Sequence, residues 1–249
     1  MFKLYGAAGS SATDRVLLTL AEGQFTDYEF VAVDLSKGEQ RVSWILGTTG
    51  RIIRVTMCVQ QPDFLARNPY GRVPVVVMSD GFTIYESRAI GKYFAAKYGF
   101  THLLPPPADL EAVARFDQAH SVEMCYFSDP VGKFSWETFI KPIVGLVTDE
   151  EVVAVAVKAM EKHLDICDET LGKREYMAGP GFSLVDINYI PNVARVFDRG
   201  RGDIITSRPN VKAWWERCLA RPATAKFVDE MPKFDQIMKM IEARKAAGQ

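Results

Sequence analysis

Two hydroxyl-bearing positions stand where helices are expected to begin. Ser10 follows the small-residue turn Ala7-Ala8-Gly9 and precedes an apolar helical run from Arg15 to Ala21, with Ser11 beside it. Glu86-Ser87 opens a second run, Ser87 to Tyr98, with Ile90, Tyr93 and Phe94 as its apolar positions. The first backbone N–H groups of a helix have no intrahelical partner, and the helix dipole is positive there. Both places therefore suit an anion. A serine at either place can donate to such an anion or simply cap its helix. Between them, Arg72 precedes Val73-Pro74. An X–Pro bond is the one peptide bond that adopts cis at modest cost, although a proline here also fits an ordinary edge strand. Arg72 by itself reads as a solvated surface charge.

Other chemistries find little support. The four cysteines, Cys58, Cys125, Cys167 and Cys218, are far apart and form no C-x-x-C pair. Neither a zinc ribbon nor a dithiol motif is available. The three histidines (His102, His120, His163) do not cluster, so no metal is expected. Thirty basic and thirty-one acidic side chains leave a formal net charge of −1. That balance argues against nucleic acid or an anionic membrane as the main partner. No window approaches the roughly 18 apolar residues of a membrane span. The N-terminus, Met1-Phe2-Lys3-Leu4-Tyr5, runs into a strand without the features of a signal peptide, and a cytoplasmic location is expected.

Ser183-Leu184-Val185-Asp186 reads as a capping box. Ser183 accepts from the third backbone N–H of the helix and Asp186 reaches back to the Ser183 N–H, with Phe182 and Ile187 placed as a hydrophobic staple. This is a stability device rather than chemistry.

The 249 residues are 48% apolar and 24% charged, enough for a real core in one large or two small domains. Residues 3–6, 28–33, 72–78 and 82–85 read as strands, and 15–21 and 87–98 as helices, in the order β-α-β then β-β-α. Pro105-Pro106-Pro107 lies in an extended linker between His102 and Asp109. Beyond it the periodicity is helical throughout, over 110–127, 150–171, 183–197 and 211–220. The fold class is α/β followed by all-α, with domains over 1–100 and 109–249.

Four segments carry a family resemblance: Lys3-Leu4-Tyr5-Gly6 through Ser10 to Arg15-Val16-Leu17, Asn68-Pro69-Tyr70-Gly71-Arg72-Val73-Pro74, Tyr85-Glu86-Ser87-Arg88-Ala89-Ile90, and the Ser183–Asp186 cap. Together they resemble a glutathione transferase, and most of all the phi class, over nearly the whole chain. The resemblance implies a thioredoxin-like N-terminal domain that holds glutathione as co-substrate. It implies an all-helical C-terminal domain that holds a hydrophobic electrophile, and a homodimer. Ser10 is then the catalytic serine, with Ser11 as its rival, and it donates a hydrogen bond to the glutathione thiolate. Tyr5 falls inside the strand as a core residue. A free thiol with a pKa of about 8.5 is mostly protonated at pH 7, and each unit of depression takes about 1.36 kcal/mol. One hydroxyl bond and a helix N-terminus supply about one to two units. Ser87 and Glu86 take the γ-glutamyl carboxylate and ammonium, and Val73 before a cis Pro74 pairs with the cysteinyl backbone. Arg72 occupies a ligand position, and Gln40 and Arg41 stand where relatives bind the glycyl carboxylate. Phe116, His120, Tyr126 and Phe127 are candidates for the acceptor site, with core packing as the alternative for each aromatic residue and a helix-packing hydrogen bond for His120.

One departure interrupts the resemblance. About twenty extra residues, 42–60, separate Asp34–Arg41 from Gln61–Pro69, and they are rich in apolar residues such as Trp44, Ile45, Ile52 and Ile53. They read either as a retained intron translated in frame or as a lid or strand pair beside the site. The function expected is conjugation of glutathione to electrophiles, with glutathione peroxidase activity as an added capacity. The alternative is a non-catalytic relative of ligandin, nitrogen-regulator or elongation-factor-gamma type.

Overall fold

A computed structural model describes residues 1–34, 57–58 and 62–246. The chain divides into two compact units, Met1–Thr101 and His102–Gln249.

The first unit is built on a five-stranded sheet. Strands β1 (Phe2–Gly6), β2 (Tyr28–Asp34), β3 (Met57–Cys58), β4 (Val75–Val77) and β5 (Thr83–Tyr85) lie in the order β3-β2-β1-β4-β5. β1 and β2 are parallel, as the intervening helix α1 (Ser11–Glu22) requires, whereas β4 and β5 run antiparallel around the Ser79-Asp80-Gly81 turn. Alternation along β1 sends Leu4 and Tyr5 to opposite faces. Tyr5 pairs in register with Val31 and Val75 and packs with them, Val33 and Phe64 of the short helix α2 (Pro62–Leu65) in a buried cluster. Helix α3 (Ser87–Lys97) packs on α1. Phe2 stacks among Phe25, Tyr28, Phe94 and Tyr98.

Two differences from the sequence reading have local causes. The strand expected over 72–78 begins only at Val75, because Pro74 has no N–H to give the ladder and the Arg72 carbonyl is taken by the Asn68 side chain at 2.7 Å. The segment 42–60 contributes a strand, β3, which extends β2 in parallel register through Val33↔Met57 and Asp34↔Cys58. The rest of that segment, with Gln40 and Arg41, lies outside the described residues.

The second unit is helical. The run expected to end at Phe127 continues to Ile143 as α4 (Leu110–Val122), a π turn at Glu123–Phe127, α5 (Ser128–Ser135), a second π turn at Trp136–Ile140, and α6 (Lys141–Ile143). Two prolines explain the interruptions. A proline inside a helix cannot bond to the carbonyl four residues back and collides with it. For Pro130 and Pro142 those carbonyls belong to Tyr126 and Thr138, each inside a π turn, where the backbone is widened. Helix α7 (Glu150–Leu171) buries Val153, Val157, Met160 and Leu164 on one face, as its periodicity predicts. α8 (Leu184–Asp198) is buried almost all round, and α10 (Pro209–Leu219) lays Trp214 beside it. Short α9 (Asp203–Thr206), α11 (Pro222–Glu230) and α12 (Phe234–Ala246) complete the unit.

Candidate active site

Ser10 is the N-cap of α1. Its backbone is extended (φ −83°, ψ 113°) and its Oγ accepts from the Thr13 N–H at 3.3 Å. Accepting that bond uses oxygen lone pairs only, so the Ser10 hydroxyl hydrogen is left to point at an anion. The preceding turn is held by the same first helical turn. Ala7 N–H donates to Thr13 Oγ1 at 3.2 Å, and Ser10 N–H donates to the Ala7 carbonyl at 3.2 Å. Gly9 adopts φ 79°, a conformation that favours glycine. Gly6 is needed for a different reason: a Cβ there would lie 2.5 Å from Thr13 Cγ2. Ser11 is the first residue of the helix proper and not its cap. Of the two hydroxyls, only that of Ser10 stands at the capping position.

The segment before β4 is clamped by one side chain. Buried Asn68 donates from Nδ2 to the Arg72 carbonyl at 2.7 Å, and its Oδ1 accepts from Tyr70 N–H at 3.0 Å. The Gly71 N–H closes the turn on the Asn68 carbonyl at 2.9 Å. The Val73–Pro74 bond is cis. Arg72 is exposed, Val73 is half-buried and Pro74 is buried. Nearby, the Arg67 guanidinium lies 5.1 Å above the ring of buried Tyr5. Sequence reasoning quoted Asn68 within its motif but missed its role. A buried asparagine beside a turn is the usual sign of a side chain that completes backbone hydrogen bonds.

At α3 the sequence offered helix capping as one role for Ser87. The N-cap is instead Glu86, with φ 71° and ψ 108° and no side-chain capping bond; Ser87 is the first helical residue and is buried. Positive φ at a non-glycine residue carries strain of about 1–3 kcal/mol and gathers at sites where geometry serves binding. The first turn of α3 contains no acidic residue, so its N–H groups meet no carboxylate from their own turn.

The second unit holds the acceptor candidates on one continuous helical run. Tyr126 is 64% exposed and stands between exposed Cys125 and buried Phe127. Phe127 is fully buried, with its ring centroid 4.8 Å from that of Tyr189 and 5.7 Å from that of His163, so its surface goes to core packing. Phe116 is buried and has its ring 6.1 Å from that of half-buried His120.

A second cluster resembles catalytic machinery without its electrostatics. His163 Nε2 lies 3.0 Å from Tyr189 Oη and 3.3 Å from Cys167 Sγ. Burial pushes the Cys167 thiol up to about 12 and lowers His163 to about 4, the latter against the pull of the Glu123 carboxylate. At neutral pH this cysteine is a thiol and this histidine is neutral, and neither is poised for nucleophilic work. The consequence is pH-dependent stability. The unfolded chain binds a proton at His163 near pH 6.5, but the folded chain resists until about pH 4. Stability contributed by the neutral ring is therefore present above pH 6.5 and lost as pH falls toward 4, by up to about 1.4 kcal/mol per pH unit. Urea midpoints measured from pH 7.5 to 4.5 should fall less steeply for His163→Phe than for the wild type. Equal slopes would remove His163 from the acid limb.

Among the described residues no group of three or more acidic, cysteine or histidine side chains is arranged to hold a metal. No described helix is long and apolar enough to cross a membrane.

A small mixed sheet with flanking helices, a cis proline before β4 and a helical second unit define the glutathione transferase fold. Comparison agrees. The family model "Glutathione S-transferase, N-terminal domain" matches residues 4–106, and "Glutathione S-transferase, C-terminal domain" matches 123–222. The chain belongs to the glutathione S-transferase family. It is 33% identical over 234 residues to the tobacco glutathione S-transferase PARB, covering 93% of this chain and 99% of the relative. It is 35% identical over 232 residues to glutathione S-transferase hmp2 of Hypomyces subiculosus, covering 92% and 99%. Among solved structures, glutathione transferase F7 of Populus trichocarpa superposes with a TM-score of 0.80 at 32% identity, covering 93% of this chain and all of the other. A maize glutathione S-transferase I in complex with an atrazine glutathione conjugate gives 0.77 at 30% identity, covering 92% and 97%.

Proposed function

We propose that this protein is a phi-class glutathione transferase whose first unit binds glutathione and whose Ser10 hydroxyl keeps the bound sulfur ionised. The observation that carries the reading is Ser10 itself. Its oxygen caps α1, so its hydrogen is available to a thiolate beside a helix N-terminus. One hydroxyl bond and one helix N-terminus, each of ordinary strength, lower a thiol pKa by about one to two units. The thiolate then attacks an electrophilic carbon. A carbon–sulfur bond forms, the bond to the leaving group breaks, and the leaving group departs with the electron pair. The relative that holds an atrazine glutathione conjugate supports acceptors of this aromatic, electrophilic kind.

In this reading Ser87 and the uncapped N–H groups of α3 hold the γ-glutamyl carboxylate, and the exposed Glu86 carboxylate meets the ammonium. Val73 pairs its backbone with the cysteinyl residue, Arg72 adds a cation, and Gln40 and Arg41 take the glycyl carboxylate. Tyr126 and His120 are the acceptor-site residues, with Phe116 and Phe127 packing behind them. The protein works as a cytoplasmic homodimer.

Titration calorimetry with glutathione, followed by a conjugation assay with 1-chloro-2,4-dinitrobenzene, tests the proposal. Binding with turnover is the expected result. Binding without turnover would favour a carrier or regulator, and absence of heat would end the glutathione reading. A more local test is Asn68→Ala. It frees the Arg72 carbonyl and the Tyr70 N–H and loosens the turn that presents Val73. Glutathione affinity should fall about 5- to 30-fold, the equivalent of about 1–2 kcal/mol. Unchanged affinity would mean that Pro74 alone holds the segment.

A further inference from the structure

The structure assigns Glu123 and Ser128 a role in acceptor selection: they are positioning residues that clasp the first π turn and fix which side chains it offers to the electrophile. The inference rests on the acceptor-site reading above and adds a determinant beneath it.

Glu123 is fully buried, and Ser128 binds it twice. The Ser128 N–H donates to the Glu123 carbonyl, five residues back, and the Ser128 hydroxyl donates to Glu123 Oε1 at 2.8 Å. Five-residue spacing is the π-turn bond itself. The side-chain bond between the same two residues spans the same turn and holds it closed from inside. The three residues enclosed with exposed surface are Met124, Cys125 and Tyr126, between buried Glu123 and buried Phe127. Pro130 frees the Tyr126 carbonyl and makes a wide turn tolerable, but it does not decide where the extra residue is absorbed. The clasp decides that. Without it the turn can tighten to four-residue spacing, and each residue shifted turns its side chain by about 100° around the axis. The turn is anchored at its far end as well, where Phe127 packs against the rings of His163 of α7 and Tyr189 of α8. π turns of this kind often mark functional positions.

The test is steady-state kinetics on the full chain, with glutathione and with two electrophiles of different size, 1-chloro-2,4-dinitrobenzene and benzyl isothiocyanate. Ser128→Ala should raise KM for the electrophiles about fivefold and change the ratio between them, with KM for glutathione within about twofold. Ser128→Thr keeps a hydroxyl and should restore the wild-type ratio. A urea midpoint of Ser128→Ala close to that of Ser128→Thr guards against a variant that merely misfolds. The double variant Met124→Ala/Tyr126→Ala reports on the underlying reading. If it changes electrophile KM while Ser128→Ala does not, the clasp has no such role and the acceptor site stands. If it leaves both electrophiles unaffected, the acceptor reading and the clasp fall together. Equal losses toward glutathione and electrophiles in Ser128→Ala would mark a purely structural bond and overturn the inference.

Discussion

Asp186→Ala should unfold the helical unit at a urea concentration far below that of the wild type. Asp186 is completely buried, and its two oxygens accept four bonds. Oδ1 takes the Met177 N–H at 2.9 Å and the Trp214 indole N–H at 2.8 Å. Oδ2 takes the Ser183 N–H at 2.9 Å and the Ser183 hydroxyl at 3.1 Å. Ser183 Oγ in turn accepts from Val185 N–H at 3.2 Å, which completes the cap of α8. Burial pushes the Asp186 carboxyl up from its ordinary range, and the four donors oppose that shift. Alanine removes the acceptor and leaves the donors in place. Each buried donor left without a partner costs about 1–3 kcal/mol, and loss of a cap costs about 0.5–2 kcal/mol. Even with partial relaxation the sum is about 4 kcal/mol or more, a large share of the roughly 5–15 kcal/mol that holds a domain folded. Asp186→Asn keeps one oxygen for Met177 and Trp214 but turns an amide toward the Ser183 donors, so its loss should be intermediate. A urea midpoint within experimental error of wild type for the alanine variant would show that the network carries no net stability.

The same residue marks how far the sequence could be read. Ser183 and Asp186 are three apart, and that spacing alone specifies a capping box. The bonds to Met177 and Trp214 were not legible, because they depend on how α10 and the loop before α8 meet that cap. The extent of α7 was legible from its regular apolar stripe, and the structure adds Asp149 as its cap. The helix that begins at Leu110 was read only as far as Phe127, whereas it continues past Pro130 and Pro142. The chain answers each proline with a π turn, and periodicity analysis assumes one fixed spacing. In the first unit, Ser10, Pro74 and Ser87 stood out through their motif. The positive φ of Glu86 has no sequence signature at a glutamate, and the Asn68 clamp needs the turn to be folded before its two bonds can be counted.

Ser10→Ala should lower kcat/KM for conjugation about 5- to 10-fold at pH 6.5, as a rise of about one unit in the bound thiol pKa requires, with much of the loss recovered at pH 9. If the Ser10 hydroxyl bond and the N-terminus of α1 together hold the bound thiol about one to two units below its free value of about 8.5, the wild type is largely ionised near neutrality. Removing the hydroxyl raises the bound pKa, so the thiolate fraction falls most at low pH and is restored once pH exceeds the new pKa. The ratio of wild-type to variant activity should therefore shrink as pH rises, and the apparent pKa in kcat/KM should move upward. A lost cap has a different signature. It lowers stability by about 0.5–2 kcal/mol but does not move a pH profile. Ser11→Ala is the matched control, since Ser11 lies inside the first turn and does not accept the Thr13 bond. Its profile should overlay the wild type. A Ser10→Ala profile parallel to wild type at every pH, with unchanged glutathione affinity, would move thiolate stabilisation to the α1 N–H groups alone. A shifted Ser11→Ala profile beside an unshifted Ser10→Ala profile would exchange the roles of the two serines.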